Sequence, residues 1–428
     1  MPSPTYELRV ADVPADIDAD AWDGLLAAQP HATPFLRHAY LAALHDSGSA
    51  TPETGWTPLF FTLWSGQALQ AACALYVKGH SYGEYVFDWA WADAYARHGL
   101  DYYPKAVVAV PFTPVPGARL MARDSAARLA LLQALVAWCG DAELSSLHLL
   151  FMADEDVAAA RQAGLMLRHT VQFHWKNVAP TLPDTRPRPF HDFDDFLASL
   201  AQDKRKKIRQ ERRKVAEAGV TFRYAQGTGI SSADWDFFYR CYERTYLEHG
   251  NPPYLTRDFF RRVERGMPDA WVLFVAERDG LAIASSLIAV SADPACAGGQ
   301  IPSEDDDLRA PGRVAYGRYW GALARVDCLH FEACYYQPIA WCIAHGVHRF
   351  EGGAQGEHKM ARALLPVQAT SAHWLAHPAF AEAVDRFLER EGEGVTQYLE
   401  HLQARSPFRS QAVNGQAPAC APAEVPKA

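Results

Sequence analysis

On either side of a proline-rich stretch at residues 179–190, the chain repeats one plan: an apolar hairpin, then strand, helix, strand and helix. The prolines at 180, 183, 187 and 189 fix φ and remove backbone donors, so this stretch reads as a linker. Such a pattern predicts an α+β protein with mixed sheets, one sheet-and-helix unit in each half. With 428 residues the chain exceeds one ordinary domain, so units at 1–180 and 181–405 are expected. An Ala/Pro-rich tail at 406–428 reads as disordered.

In the first half, Thr57 to Trp64 and Ala68 to Val77 read as strands turning at Ser65-Gly66-Gln67. Further strands are expected at Tyr82 to Phe87, Val107 to Val110, Ser146 to Met152 and Val171 to Val178. Helices are expected at Asp88 to His98, Ser125 to Cys139 and Glu155 to Ala163. The second half opens on a long helix, Asp194 to Ala218, followed by one at Ser231 to Glu248. A hairpin then runs from Trp271 to Glu277 and Leu281 to Ser291. Strands follow at Cys328 to Glu332, Val347 to Phe350 and Ser371 to Leu375, with helices at Tyr335 to His345 and Phe380 to Gln403.

A formal net charge of −9 argues against indiscriminate nucleic-acid binding but leaves room for a local basic patch. No run of 18 apolar residues exists, so no stable membrane insertion is expected, and the acidic start lacks a secretory apolar core. Eight cysteines without a Cys-x-x-Cys pair read as reduced thiols of a cytoplasmic protein. Cys328, His330, Cys334, Cys342, His345 and His348 fall close together, but their spacing does not match a zinc site, so no metal is expected.

Three segments carry chemistry. Glu351 to Lys359, Glu-Gly-Gly-Ala-Gln-Gly-Glu-His-Lys, joins two apolar runs and collects glycines with carboxylates, a histidine and a lysine. Glycines permit close backbone approach, and the charged groups can move protons or steady developing charge. Lys204 to Lys214 holds eight cations and one acid. Like charges one turn apart repel, so an anionic ligand such as a phosphate is the expected compensation, through Lys206, Lys207, Arg209, Arg212 and Arg213. His80 to Tyr103 holds eight aromatics around Glu84, Asp88 and Asp93. A polar turn among rings suits a substrate pocket, with Tyr82, Glu84 and Asp88 as its polar groups, although core packing also explains many of the rings.

The runs His80-Ser81-Tyr82-Gly83-Glu84-Tyr85-Val86-Phe87-Asp88-Trp89, Tyr102-Tyr103-Pro104-Lys105, Pro111-Phe112-Thr113-Pro114, Gly353-Ala354-Gln355-Gly356-Glu357-His358-Lys359 and Ser371-Ala372-His373-Trp374 resemble the FemAB-like predicted N-acyltransferases of the GNAT superfamily. The resemblance covers roughly residues 5 to 400. It implies two tandem GNAT-like (acyl-CoA N-acyltransferase-like) domains in a FemAB-like arrangement, and transfer of an acyl or aminoacyl group to a small-molecule or peptide amine. Better-known FemAB relatives use aminoacyl-tRNA to build peptidoglycan cross-bridges, so tRNA is a possible partner. The donor is either acyl-CoA or aminoacyl-tRNA. GNAT enzymes that use acetyl-CoA carry Gln/Arg-x-x-Gly-x-Gly/Ala, and the nearest stretch here, Arg313 to Arg318, lacks the first glycine and the last small residue.

Amide formation needs a base for the attacking ammonium and donors for the oxyanion. Glu351, Glu357, His358 and Glu332 are candidate bases, and Tyr335 a candidate acid. Lys359 is a candidate anion stabiliser within a substrate site that the resemblance extends to Gln355 and His373. The alternative is a non-catalytic protein that recognises peptidoglycan precursors or RNA through the same cleft.

Overall fold

The computed structural model describes residues 6–179, 187–292, 312–354 and 356–409. The expectations for a linker and a tail therefore fall largely outside the described residues, and that for Gln355 falls wholly outside. The strands are β1 (Glu7–Ala11), β2 (Thr57–Ser65), β3 (Ala68–Lys78), β4 (Lys105–Val108), β5 (Met121–Ala122), β6 (Ser146–Met152) and β7 (Met166–Lys176), followed by β8 (Val220–Gln226), β9 (Trp271–Arg278), β10 (Leu281–Val290), β11 (Val314–Ala322), β12 (Arg349–Ala354) and β13 (Leu365–Leu375). They form one mixed sheet in the order β1-β2-β3-β4-β6-β13-β7-β12-β11-β10-β9-β8, with β5 added on β3.

The repeated plan read from the sequence appears in the pairing. In each half an antiparallel hairpin (β2-β3, β9-β10) is extended by an antiparallel third strand (β4, β11). A parallel strand follows in each: β6 on β4 and β12 on β11. The halves interlock through their last strands. β13 from the end of the chain lies between β6 and β7, while β7 pairs with β12.

Alternation along the strands fills two layers. Phe60, Ala72, Leu273 and Val275 face a core roofed jointly by Ala19–Ala27 and His38–Asp46 of the first half and Ser232–Glu248 and Arg257–Gly266 of the second. Phe61, Cys73 and Leu75 face the helices Ser125–Asp141 and Asp154–Gln162 instead. Val272 and Phe274 face Phe193–Ser199 and Gln337–Ala344. Side-chain caps mark several helix starts: Asp18, Asp124, Ser231 and Thr256 each accept a backbone N–H of the first turn.

Three expectations need correction. Tyr82 to Phe87 is not a strand but an irregular loop, with Gly83 and Tyr85 at positive φ. Cys328 to Glu332 is not a strand either; Cys328, at φ 67°, starts a helix that continues through a π turn at Glu332–Tyr336. The long helix is two helices, Phe193–Ser199 and Gln202–Glu217. The chain is extended at Leu200 and Ala201 because Leu200 enters the core and pairs with Phe408. Arg313 to Arg318, the stretch that lacks the pyrophosphate-loop pattern, leads into β11.

Candidate functional site

β11 and β12 pair only from Val314 to Tyr316 with Arg349 to Glu351. Beyond that point β11 continues to Ala322, antiparallel to β10 on its other side, and the two parallel strands part. Parted parallel strands leave main-chain N–H and C=O groups that an extended amide-bearing ligand can pair with.

The Glu357–Arg362 turn follows β12 and reaches back to it through Lys359. Lys359 is buried and folds back onto β12, its Nζ donating to the carbonyls of Gly352 at 2.6 Å and Gly353 at 3.4 Å. Burial lowers its pKa to about 8. A Cβ at Gly352 would meet Leu364 Cδ2 at 2.3 Å and the Phe173 carbonyl at 3.0 Å, so β12 packs closely here. His358 Nε2 lies 3.4 Å from the Tyr335 hydroxyl. Burial, with Arg362 and Lys359 nearby, pushes the His358 imidazole below its usual pKa, so it is neutral at pH 7 and able to take a proton. Burial pushes the Tyr335 phenol up, so it keeps its proton.

This turn is tied to the basic helix Gln202–Glu217. Arg362 donates twice to Glu211, at 2.9 and 2.8 Å, and once to the His358 carbonyl at 2.7 Å. The Tyr336 hydroxyl also donates to Glu211. Glu332, in the π turn, accepts from Arg212 at 3.2 Å and Gln337 at 2.7 Å, and burial raises its pKa. π turns of this kind recur at functional sites. A cavity of about 420 Å³ lies here, lined in part by Arg209, Arg212, Arg213, Glu332 and Gln337. A second, of about 610 Å³, follows the same helix past Arg205, Lys206, Arg209 and Arg213. Lys206, Lys207 and Arg209 are exposed and make no ion pair among the described residues.

The other candidates are dispersed. Glu351 is buried on the opposite face of β12 from Phe350, against Arg349 at 2.9 Å, and its pKa is raised by burial. Glu357 is exposed and accepts from Tyr398 at 2.9 Å and Arg405 at 3.3 Å. The loop thus sets Lys359 on the two β12 residues just past the paired stretch and Glu357 against Tyr398 and Arg405, while Glu351 is the last paired residue of β12. Among the described residues no three His, Cys, Asp or Glu side chains are grouped to hold a metal ion.

Glu84, Asp88 and His373 belong to a second cluster, in the first half. Lys105 Nζ donates to Glu84 at 2.8 Å, to Ser81 at 2.7 Å and to Asp88. Tyr102 donates to Asp88 at 2.6 Å and lies 3.2 Å from His148, whose Nδ1 is 2.7 Å from His373 Nδ1. Lys78 completes the cluster, donating to the Tyr82 carbonyl at 3.1 Å and standing 3.4 Å above the Trp56 ring. Burial moves Lys78 down and Glu84 up, each to about 7. Burial also acts to raise Asp88, but Lys105, His148 and Tyr102 outweigh it and hold its carboxyl below the usual range. Tyr82 itself is 61% exposed. Sequence reasoning missed Lys78, Lys105, Tyr102 and His148 as members of this cluster. The Tyr102 to Lys105 run was the available signal, read only as part of the resemblance.

The FemAB-like family, described as peptidoglycan biosynthesis/recognition, matches residues 14–410. No curated protein matches the chain. Among solved structures the chain is similar to FemX, at 10% identity and a TM-score of 0.51, covering 86% of this chain and 98% of that one. It is also similar to L-PGS from Bacillus licheniformis, at 11% identity and a TM-score of 0.48, covering 87% and 97%. A tandem GNAT protein from the clavulanic acid biosynthesis pathway matches at 12% identity and a TM-score of 0.43, covering 87% and 99%.

Proposed function

We propose that this chain, which belongs to the FemAB-like family, is an N-acyltransferase that passes an acyl or aminoacyl group to an amine acceptor by direct attack. The observation that carries this reading is the opening between β11 and β12 with Lys359, His358 and Tyr335 at its edge. An extended donor lies along the unpaired edge with its carbonyl toward Lys359. The acceptor ammonium gives its proton to neutral His358, and the amine nitrogen bonds to the carbonyl carbon. Lys359 steadies the oxyanion. The donor's ester or thioester bond then breaks; the leaving oxygen or sulfur takes a proton from Tyr335, and the second proton of the attacking nitrogen restores the Tyr335 phenol as the amide forms. No covalent enzyme intermediate is needed.

The donor's phosphates lie along Lys206, Lys207, Arg209, Arg212 and Arg213. The connection Leu323 to Cys328, which leads from β11 into the next helix, contains no glycine to cradle a pyrophosphate, which favours aminoacyl-tRNA over acyl-CoA. The acceptor class in this reading is a peptidoglycan-precursor amine, which the family's description in peptidoglycan biosynthesis/recognition supports, and the site of action is the cytoplasm. No described helix is long and apolar enough to cross a membrane. A second reading, recognition of peptidoglycan precursors or RNA without turnover, is favoured by Glu351 and Glu357, each paired with an arginine instead of standing free as a base.

The test is binding and single-turnover transfer with charged tRNA and acyl-CoA in parallel, across a salt series. Salt-sensitive tRNA binding that is lost when Lys206, Lys207 and Arg209 are neutralised is the expected result. Lys359→Ala should keep donor binding and slow transfer by about a hundredfold or more. Unchanged transfer in that variant would remove Lys359 from the mechanism, and donor binding without transfer in the unmodified protein would favour the second reading.

A further inference from the structure

The end of the helix Ser232–Glu248, the loop after it and β11 line another cavity, open to solvent, beside the first half. It measures about 370 Å³ and is walled by Tyr242, Tyr246, Tyr254, Tyr319, Trp320 and Arg318. The first half borders it: the Phe112 ring stacks on Tyr254 at 4.7 Å and 11°. Phe112 and Tyr85 both hold positive φ, at 57° and 61°. Non-glycine residues in that region are strained and gather at functional sites.

Arg318 is the single cation in this wall, and its bonding is lopsided. Nη2 donates to the Phe112 carbonyl at 2.9 Å and to Thr113 at 3.2 Å, with Tyr319 at 3.4 Å. The guanidinium carbon lies 5.2 Å from the Phe35 ring centre and 5.0 Å from that of Tyr319. The Nε–H is buried without an acceptor. No carboxylate reaches Arg318 among the described residues. Arg362, by contrast, is paired with Glu211 and Arg128 with Asp156, while Arg119 has its fork filled by three backbone carbonyls. Arg318 is half-buried, and a guanidinium partly withdrawn from water with only neutral partners leaves its charge uncompensated, which a bound anion offsets.

We propose that this cavity binds the anionic group of a small ligand, a carboxylate or phosphate paired with Arg318, with the ligand's carbon body against the tyrosine walls. Arginine's planar fork suits both anions, and tyrosines offer apolar faces with hydroxyls for a peptide or sugar body. The proposal concerns binding alone, so it stands or falls separately from the transfer chemistry.

The test uses the full chain and calorimetric titration with three probes: hippurate, its neutral analogue hippuramide, and phenyl phosphate. At least one anion should bind ten times more tightly than hippuramide or better. Preference for hippurate assigns a carboxylate ligand, and preference for phenyl phosphate assigns a phosphate ligand. Arg318→Gln should lose that preference while melting as the unmodified protein does. Because Arg318 also braces the Phe112 loop, a second variant guards against loss of fold. Asn251→Trp, at the exposed rim, should block all binding by filling the mouth. Equal binding of hippurate and hippuramide, no binding of either anion, or full binding by Asn251→Trp would each overturn the proposal.

Discussion

The ion pair between Glu211 and Arg362 joins the basic helix to the turn that carries His358 and Lys359, and its removal has a calculable cost. Glu211 is 8% exposed and Arg362 1%. Glu211→Gln leaves the guanidinium without a counter-charge, still held over the Phe331 ring at 3.6 Å. It also weakens two charge-assisted bonds from Arg362 and one from Tyr336. Breaking a buried pair from one side costs about 3–5 kcal/mol. Arg362→Met should cost a similar amount for the converse reason, adding the loss of its bond to the His358 carbonyl. The double variant Glu211→Met with Arg362→Met buries two apolar side chains and should lose less than either single change, an interaction of roughly 2 kcal/mol or more. Urea unfolding of all four proteins measures this from shifts in midpoint at constant slope. A loss below about 1 kcal/mol for Glu211→Gln, or a double variant that loses the sum of the singles, would refute the claim that the pair is a dry, coupled unit.

Two further outcomes test other parts of the structure. Burial raises the Glu84 carboxyl from 4.5 to about 7, so its stabilising contribution is full below pH 4.5 and is lost as pH rises to about 7. Lys78, lowered from 10.5 to about 7, acts in a different window: its contribution is full above pH 10.5 and is lost as pH falls to about 7. Glu84→Gln should therefore flatten stability between pH 5 and 7 by roughly 2–3 kcal/mol, and an unchanged slope in denaturation midpoints would count against the raised carboxyl. Gly321 faces the helix Ser232–Glu248 so closely that an added Cβ would lie 1.9 Å from the Cys241 carbonyl oxygen. Gly321→Ala should destabilise by about 1–3 kcal/mol, read as a lowered melting temperature, because backbone and not a side-chain tip must move.

Local rules carried much of the reading. Hydrophobic alternation and turn residues located both hairpins, since strand period and a glycine turn are short-range properties. The repeated plan and the motif runs were enough to suggest the family. Where burial competed with propensity the reading failed: Leu200 breaks a helix that its neighbours would continue, and Tyr82 to Phe87 is bent away from extension around Lys78 and Lys105. Within the candidate site, proximity in sequence misled. Glu351, Glu357 and His358 are near neighbours in the chain, but strand alternation and a tight turn send them in different directions.

By itself, then, the sequence determined the fold class, the repeated strand-and-helix plan and the concentration of cations along one helix, because each follows from residues within a few turns of one another. Tertiary structure alone decided that β13 returns between β6 and β7, and that Lys105 gathers Glu84 and Asp88. It also decided that Glu211 holds the His358–Lys359 turn through Arg362, and that Arg318 faces a tyrosine-walled cavity without a counter-charge. Those partners are far apart in the chain, and contacts between distant residues depend on which surfaces the whole core brings together.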